Sequence, residues 1–420
     1  METLRAIFKN PVLRKRVLYT LGILGLFRIL AHLPMPGVDL EALREFFARN
    51  SLFGLLNLFT GGSMENFSLV LMGVGPYITA SIIFQLLIII IPRFEELQKE
   101  GESGRQKINQ YTRLLTVPLA VLQGYSTLIL LRNQGIVGTF APVDLITILL
   151  TITAGTVLLM WLGELITENG IGNGMSLIIT LGILAGIPTA LSQTFAVIDQ
   201  LNVVNLAAFL AISLIVTLAI VTVSEAERQI PITYARRVRG LQKTSGVATF
   251  LPLKVIMAGV VPIIFALSMM IFPPVVARFF QGTDIEQVRR VADWVVELFN
   301  DNTFYAIAYF ICVILFTFFY TSIIFQPEQV AENIQKQGGF VPGLRPGHET
   351  ADYLGKVLNR VTLFGAIFLA AIAVLPFIVQ SLTEIQTLVL GGTGILIVVS
   401  VCLETMRQIR AQLITHRYEF

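Results

Sequence analysis

Charge is what this sequence most lacks. Only 14% of its 420 residues are Asp, Glu, Lys or Arg, against about 25% in ordinary soluble domains. With 55% hydrophobic residues and a mean hydropathy of +0.76, this shortage excludes the two or three soluble domains that the length would otherwise allow. Cysteine is almost absent. Cys312 and Cys402 both fall in apolar runs, so no disulfide framework is expected. His32, His348 and His416 lie at the ends of such runs or in loops. No HExxH pattern occurs, and no metal site is expected. Gly170-Ile171-Gly172-Asn173-Gly174 is glycine-rich, but no Lys-Ser/Thr follows it and no strand pattern precedes it. It reads as a tight turn, not a phosphate cradle, and no cofactor is expected. Gly174-Met175-Ser176-Leu177 faintly resembles an intramembrane serine nucleophile, but no histidine is placed to activate it. Ser176 reads as a packing residue, and no enzymatic activity or catalytic residue is expected.

Long apolar runs are what the chain has in abundance. A helix needs roughly 20 mainly apolar residues to cross the hydrocarbon core. Ten segments meet this pattern, near 17–34, 68–91, 114–131, 143–163, 174–191, 204–223, 254–277, 303–325, 361–380 and 386–404. Backbone polar groups have no water partner in lipid, so these are expected to be helices, and weak alternation argues against a β-barrel. Placing both ends in the cytosol puts 23 of the 30 Lys and Arg on the inner side, and only Arg44, Arg49, Arg132, Arg278, Arg289 and Arg290 outside. Lys and Arg favour the cytoplasmic side during insertion. The expectation is an all-α, multi-pass protein of the cell membrane with both termini cytoplasmic. The first apolar segment has no small-residue cleavage site and reads as a retained span, not a signal peptide.

The segments divide into five and five, at 1–190 and 191–405, followed by a tail at 406–420. No clear sequence repeat relates the halves. Because five is odd, they would still be inverted relative to one another, an architecture that places a pathway at its interface. Two inner loops, 224–253 and 326–360, exceed tight turns. The first alternates through Gln229-Ile230-Pro231-Ile232-Thr233-Tyr234 and offers a turn at Arg239-Gly240, which predicts a hairpin. The second carries Pro342-Gly343 and Pro346-Gly347 around Arg345, which predicts a bent, exposed loop. Their basic residues either set topology and touch anionic lipid or dock a partner. One outer segment, 51–62, is apolar but short. Ten helical residues reach only about 15 Å, half the core. It either lies at the interface, the reading its residues favour, or folds back into a cavity. Apart from charges at the segment limits, the ionisable candidates are Arg28, which is more central, and Glu164, at the cytosolic end of span four, where it can reach water. Gly73, Gly75, Thr79, Ala80, Ser81, Gln85, Gly259 and Ser268 are small or polar side chains that allow close helix contact or line an opening.

Several of these stretches resemble the SecY family, whose members form the centre of the protein-conducting channel. They are Gly75-Pro76-Tyr77-Ile78-Thr79-Ala80-Ser81-Ile82-Ile83, Glu100-Gly101-Glu102-Ser103-Gly104-Arg105-Gln106-Lys107-Ile108-Asn109-Gln110-Tyr111-Thr112-Arg113, Gly170 to Ser176, Leu251-Pro252-Leu253-Lys254, Met257-Ala258-Gly259-Val260-Val261-Pro262, Phe340 to Gly347 and Gly391-Gly392-Thr393. They occur in family order from the second span to the tenth. The resemblance implies ten transmembrane helices in two inverted halves that close like a clamshell around a central pore. It implies that Val74, Ile78, Met175, Ile179, Ile264 and Ile397 form an apolar ring at the pore waist. Taken singly, each reads as ordinary packing. It implies a plug at about 52–62, with Phe53, Leu55, Leu56, Leu58, Phe59, Gly61 and Gly62, in place of an interfacial helix. A lateral gate between spans two and seven would include Thr79 and Ile256, where Ile256 stands at a position that is often Asn. Arg236, Arg237, Arg239 and Arg345 would dock the ribosome and the SecA motor. Implied partners are SecE-like and SecG-like small membrane subunits, signal peptides, nascent polypeptides and membrane lipid, with no DNA binding. A solute transporter with inverted halves is the alternative.

Overall fold

The computed structural model describes residues 10–35, 38, 40–43, 57, 60–133, 135–138, 141–196, 203–234, 238–239, 242–243, 248–281, 285–383 and 392–418. A helix lies in each of the ten apolar segments. These are α1 (Pro11–Ala31), α2 (Gly75–Ile90), α4 (Glu102–Asn133), α5 (Pro142–Asn169), α6 (Gly174–Ala196), α7 (Val203–Glu225), α8 (Val261–Phe280), α10 (Asn302–Ile324), α12 (His348–Thr383) and α13 (Gly392–Tyr418). Between them lie the shorter α3 (Pro92–Lys99), α9 (Glu286–Asn300) and α11 (Pro327–Lys336). By length and apolar content alone, five of the described helices are able to cross a membrane. A sixth is added if α2 and α3, bent by 100° at Ile91, form one broken span. The protein is therefore an all-α polytopic membrane protein.

Local chemistry sets the helix ends. Asn10 caps α1, its side chain accepting from the backbone N–H of Val12 at 3.0 Å and of Leu13 at 3.4 Å, ahead of a first-turn proline. This satisfies two of the four open donors of a helix start. Asp301 caps α10 in the same way through Thr303. Hydroxyls inside the apolar helices return to their own backbone. Thr112 donates to Ile108 O, Thr116 to Thr112 O, Thr317 to Val313 O and Thr321 to Thr317 O, at 2.6–2.9 Å. Threonine thereby enters an apolar layer without an unmet donor.

Two spans start later than the sequence implied. The segment at 68–91 is helical only from Gly75, and that at 254–277 only from Val261. Gly73 and Gly259 are the cause, with φ of +56° and +60°, a left-handed conformation that ends a right-handed helix and suits glycine. Each is followed by a valine N-cap and by a proline in the first helical turn, Pro76 and Pro262, where a missing N–H costs nothing. The helix expected to finish near 191 continues to Ala196, beyond the expected boundary of the first half.

The largest apolar cluster joins α1, α5, α6, α7, α8, α10, α12 and α13, with Phe27, Leu159, Ile166, Ile220, Ile263 and Leu396 fully or nearly fully buried. A second cluster packs Leu43, Phe67, Leu71, Leu131 and Ile152 at one end. A third lies beneath a small sheet at the other. In that sheet β1 (Glu227–Tyr234) pairs antiparallel with β4 (Ala248–Lys254), from Glu227 opposite Lys254 to Thr233 opposite Ala248. This is the hairpin the alternation predicted. Its tip continues as β2 (Val238–Arg239) and β3 (Gln242–Lys243), with Arg239 opposite Gln242. A third strand, β5 (Gly339–Phe340), comes from the other polar loop and pairs with Thr233 and Tyr234. The two loops therefore form one platform, strand order β4-β1-β5. Pro231 lies in the part of β1 that β5 does not reach, where a missing donor is tolerated.

Candidate functional site

Four of the six ring residues, Val74, Ile78, Ile179 and Ile264, line a single cavity of about 120 Å³ enclosed by α2, α4, α6, α8 and the segment before α2. Their positions follow from the two late helix starts. Val74 and Val260 cap α2 and α8, and Ile78 and Ile264 stand four residues on, one turn inside each helix. Ring residues Met175 and Ile397 do not line this cavity. Ile397 is fully buried in the adjoining apolar cluster, and Met175 packs against that cluster. A Cβ at Gly163 would stand 2.6 Å from the Met175 Sδ. The long, flexible methionine thus fills the space that a glycine leaves on α5.

Part of the cavity wall is polar. The Gln123 amide on α4 donates to Thr79 Oγ1 at 3.4 Å, and Thr79 Oγ1 donates to the Gly75 carbonyl at 3.1 Å. Ser126 Oγ is buried beside them with no hydrogen-bond partner among the described residues. The sequence named no site residue on this helix. The signal was the polar run Gln123, Ser126 and Thr127 inside an apolar span. A second missed signal is the short repeat Gly73-Val74-Gly75-Pro76 and Gly259-Val260-Val261-Pro262, which marks the two corresponding helix starts despite the absence of longer self-similarity.

The two gate residues part company. Thr79 lines the cavity, whereas Ile256 sits in the turns at 255–260 and packs, half-buried, against the central cluster. Just beyond it the glycine of α12, Gly365, presses on the Val255 carbonyl, 2.4 Å from where a Cβ would lie.

Beneath the cavity mouth the backbone from 60 to 74 makes turns, not helix, and is deeply buried: Ser63, Phe67, Ser68 and Val70 show no exposure. Irregular backbone at membrane depth is tolerated where protein buries it. Some of its groups are met by the chain that follows α1, Met35 N donating to Phe67 O at 2.8 Å and Leu69 N to Leu33 O at 3.1 Å. Phe53, Leu55, Leu56, Leu58 and Phe59 lie outside the described residues. Gly61 and Gly62 are described, with φ of +75° and +77°.

At the polar end, Arg345 stands exposed in the loop between β5 and α12. Its backbone N–H donates to Glu349 Oε2 at 3.3 Å, and its carbonyl accepts from Thr350 Oγ1 at 2.8 Å. Gly343 and Gly347 flank it at φ of +85° and +104°. Arg239 lies in the hairpin tip, while Arg236 and Arg237 fall outside the described residues. Glu164, expected near water at the end of its span, accepts from Arg113 Nε at 2.7 Å and ties α5 to α4. Arg407 Nη2 bonds Glu225 Oε1 at 2.8 Å and the Ser224 carbonyl at 3.2 Å. Burial, and then the neighbouring Arg407 charge, push the Lys254 ammonium below its ordinary range, against Glu225, Glu227 and Glu404.

The fold and the sequence both have relatives. The chain is similar to solved channel structures. One described as a protein conducting channel gives a TM-score of 0.64 at 20% identity, covering 94% of this chain and 91% of the other. A structure of Sec61 in a canine ribosome-channel complex gives 0.62 at 20% identity with the same coverage. A protein translocase subunit SecY from Streptomyces galbus is 42% identical, covering 98% of this chain and 97% of its own. The corresponding protein of Halalkalibacterium halodurans is 44% identical over 100% of this chain and 99% of its own. The SecY family model matches residues 68–406, from the buried turns before α2 to the middle of α13, and on that extent of agreement the chain belongs to the SecY family.

Proposed function

We propose that this chain forms the central channel through which unfolded polypeptides cross a membrane, and from which apolar segments pass sideways into lipid. The observation that carries this reading is the small cavity between α2 and α8, lined by Val74, Ile78, Ile179 and Ile264 and bounded by the buried turns at 60–74. An apolar constriction blocks ions by dewetting, and aliphatic side chains yield to many shapes without binding any. A substrate that is moved and not held needs such a surface.

The ten helices cross the membrane ten times, in two inverted halves at α1–α6 and α7–α13, with both termini cytoplasmic in the cell's inner membrane. Met175 and Ile397 complete the ring when the cavity opens. Thr79 and Ile256 belong to a lateral gate between α2 and α8. Residues 52–62 form the plug. The three-stranded platform and the Arg345 loop face the cytosol and dock the ribosome or a SecA-type motor. A ribosome complex is known for the structurally similar Sec61, and basic loops suit an anionic partner. SecE-like and SecG-like subunits complete the assembly. The driving energy comes from these partners or from the membrane potential.

A stalled secretory chain carrying one cysteine tests the reading. It should form disulfides with Ile78→Cys and Ile264→Cys, and none with Trp161→Cys, whose side chain is 54% exposed on the outer face of α5. Equal labelling at all three positions, or labelling only at Trp161→Cys, would overturn the proposed path. A solute carrier would give no polypeptide adduct at any of them.

A further inference from the structure

Arg28 lies inside the first apolar helix, and the channel reading gives it no task. It stands half-buried in the last turn of α1, where its hydrogen-bond acceptor is a backbone carbonyl and the Glu65 charge is nearby. Arg28 Nη1 donates to the Gly61 carbonyl at 2.8 Å, across 33 residues of chain. Its Nη2 lies 3.4 Å from His32 Nε2, and His32 Nδ1 is 2.9 Å from the Arg28 carbonyl. Gly61 is held from two sides. A Cβ there would lie 2.9 Å from Phe27 Cζ and 3.1 Å from the Gly182 Cα. Phe27 and Arg28, successive residues of α1, thus supply a wall and a donor to one backbone position.

The chain around Gly61 is closed on itself. Asn57 Nδ2 donates to Glu65 Oε2 at 2.7 Å, the Glu65 N–H returns to Asn57 Oδ1 at 3.1 Å, and the Gly62 N–H donates to the Asn57 carbonyl at 2.9 Å. These bonds tie Asn57 to Gly62 and Glu65, and Arg28 provides a charge-assisted bond from that turn to α1. Such bonds are stronger than neutral ones.

We propose that Arg28 is a positioning residue that latches the turn at 60–65 to α1 and thereby sets the resting seal of the channel. This rests on the reading of 52–62 as the plug. Removing a hydrogen bond to a charged group shifts a two-state equilibrium by about tenfold or more, so the latch controls how often the resting channel opens.

The full chain, purified with its membrane partners and reconstituted in planar bilayers, provides the test. Resting ion conductance is recorded for wild type, Arg28→Leu, Arg28→Gln and Arg28→Lys, and for a deletion of 52–62. The expected result is an open fraction about tenfold higher for Arg28→Leu, an intermediate rise for Arg28→Gln, and recovery of the seal by Arg28→Lys, which keeps a charged donor. Loss of packing alone would not be rescued by lysine. If the deletion leaks while all three substitutions seal as wild type does, the latch is refuted and the plug stands. If the deletion also seals, the plug reading fails as well. Should Arg28→Leu not accumulate in membranes, the order of Arg28→Gln and Arg28→Lys decides the matter: equal conductance at wild-type level refutes the latch.

Discussion

Gly155 and Gly163 lie about two turns apart on α5, and each is glycine for a different neighbour. A Cβ on Gly155 would stand 2.1 Å from the Leu69 carbonyl oxygen, a backbone atom of the buried segment before α2. A Cβ on Gly163 would meet the movable end of Met175. Alanine favours a helix interior over glycine by about 0.5–1 kcal/mol, so the two substitutions should differ. Gly155→Ala is expected to destabilise by about 1–3 kcal/mol through overpacking, and Gly163→Ala to be near neutral. Thermal unfolding in detergent checks the order, and equal melting temperatures would contradict it. Ile256 makes a second case. It packs against the central apolar cluster, so Ile256→Asn exchanges an apolar contact for an amide beside the proposed gate. Insertion of a nascent segment is a sum of small terms, about −0.3 to −0.6 kcal/mol for each central Leu, Ile, Phe or Val. The substitution is expected to shift the hydrophobicity threshold in a graded series of test segments, and an unchanged threshold would remove Ile256 from the gate.

Among the elements, the platform shows how far sequence reading reached. The hairpin was legible because alternation from Gln229 to Tyr234 and the Arg239-Gly240 turn are local signals. The third strand was not. Gly339-Phe340 is too short to read as a strand, and its partner lies about 100 residues earlier. Gly339 shows the constraint after the fact, since a Cβ there would come within 2.9 Å of the Tyr234 ring. Joining the two loops fixes the base from which the Arg345 loop projects. Because the Arg345 side chain is exposed and the hydrogen bonds described at this residue use its backbone, Arg345→Glu is expected to leave the fold intact. It should abolish motor-driven export into reconstituted vesicles. Normal export would refute the docking role.

For the molecule as a whole, the seal is the property that unites the parts. The cavity is small, its lining is mostly apolar with a polar minority, and the buried turns at 60–74 close one side. Deleting 52–62 removes the first of those turns and with it the lining residue Thr60, while leaving Val74, Ile78, Ile179 and Ile264 in place. The expected outcome is a resting channel that leaks ions yet still moves polypeptide. A channel that neither leaks nor translocates would show that the segment is needed for folding, which protease resistance of the purified protein would confirm.

The sequence alone determined the class, the helices and the charge asymmetry, because each depends on composition within some 20 neighbouring residues. It also carries the glycine and proline breaks, in Gly73-Val74-Gly75-Pro76 and its counterpart at Gly259, although apolar content alone ran the spans through them. Only the tertiary structure decided which aliphatic residues face a cavity. Ile78 and Ile397 are alike in chemistry, and one lines the opening while the other is buried beside it. The tertiary structure alone also gave Arg28 its partner. The sequence marked Arg28 as a charge in an apolar helix, but the acceptor is a backbone carbonyl. Every residue carries that group, so no pattern of side chains could have pointed to Gly61.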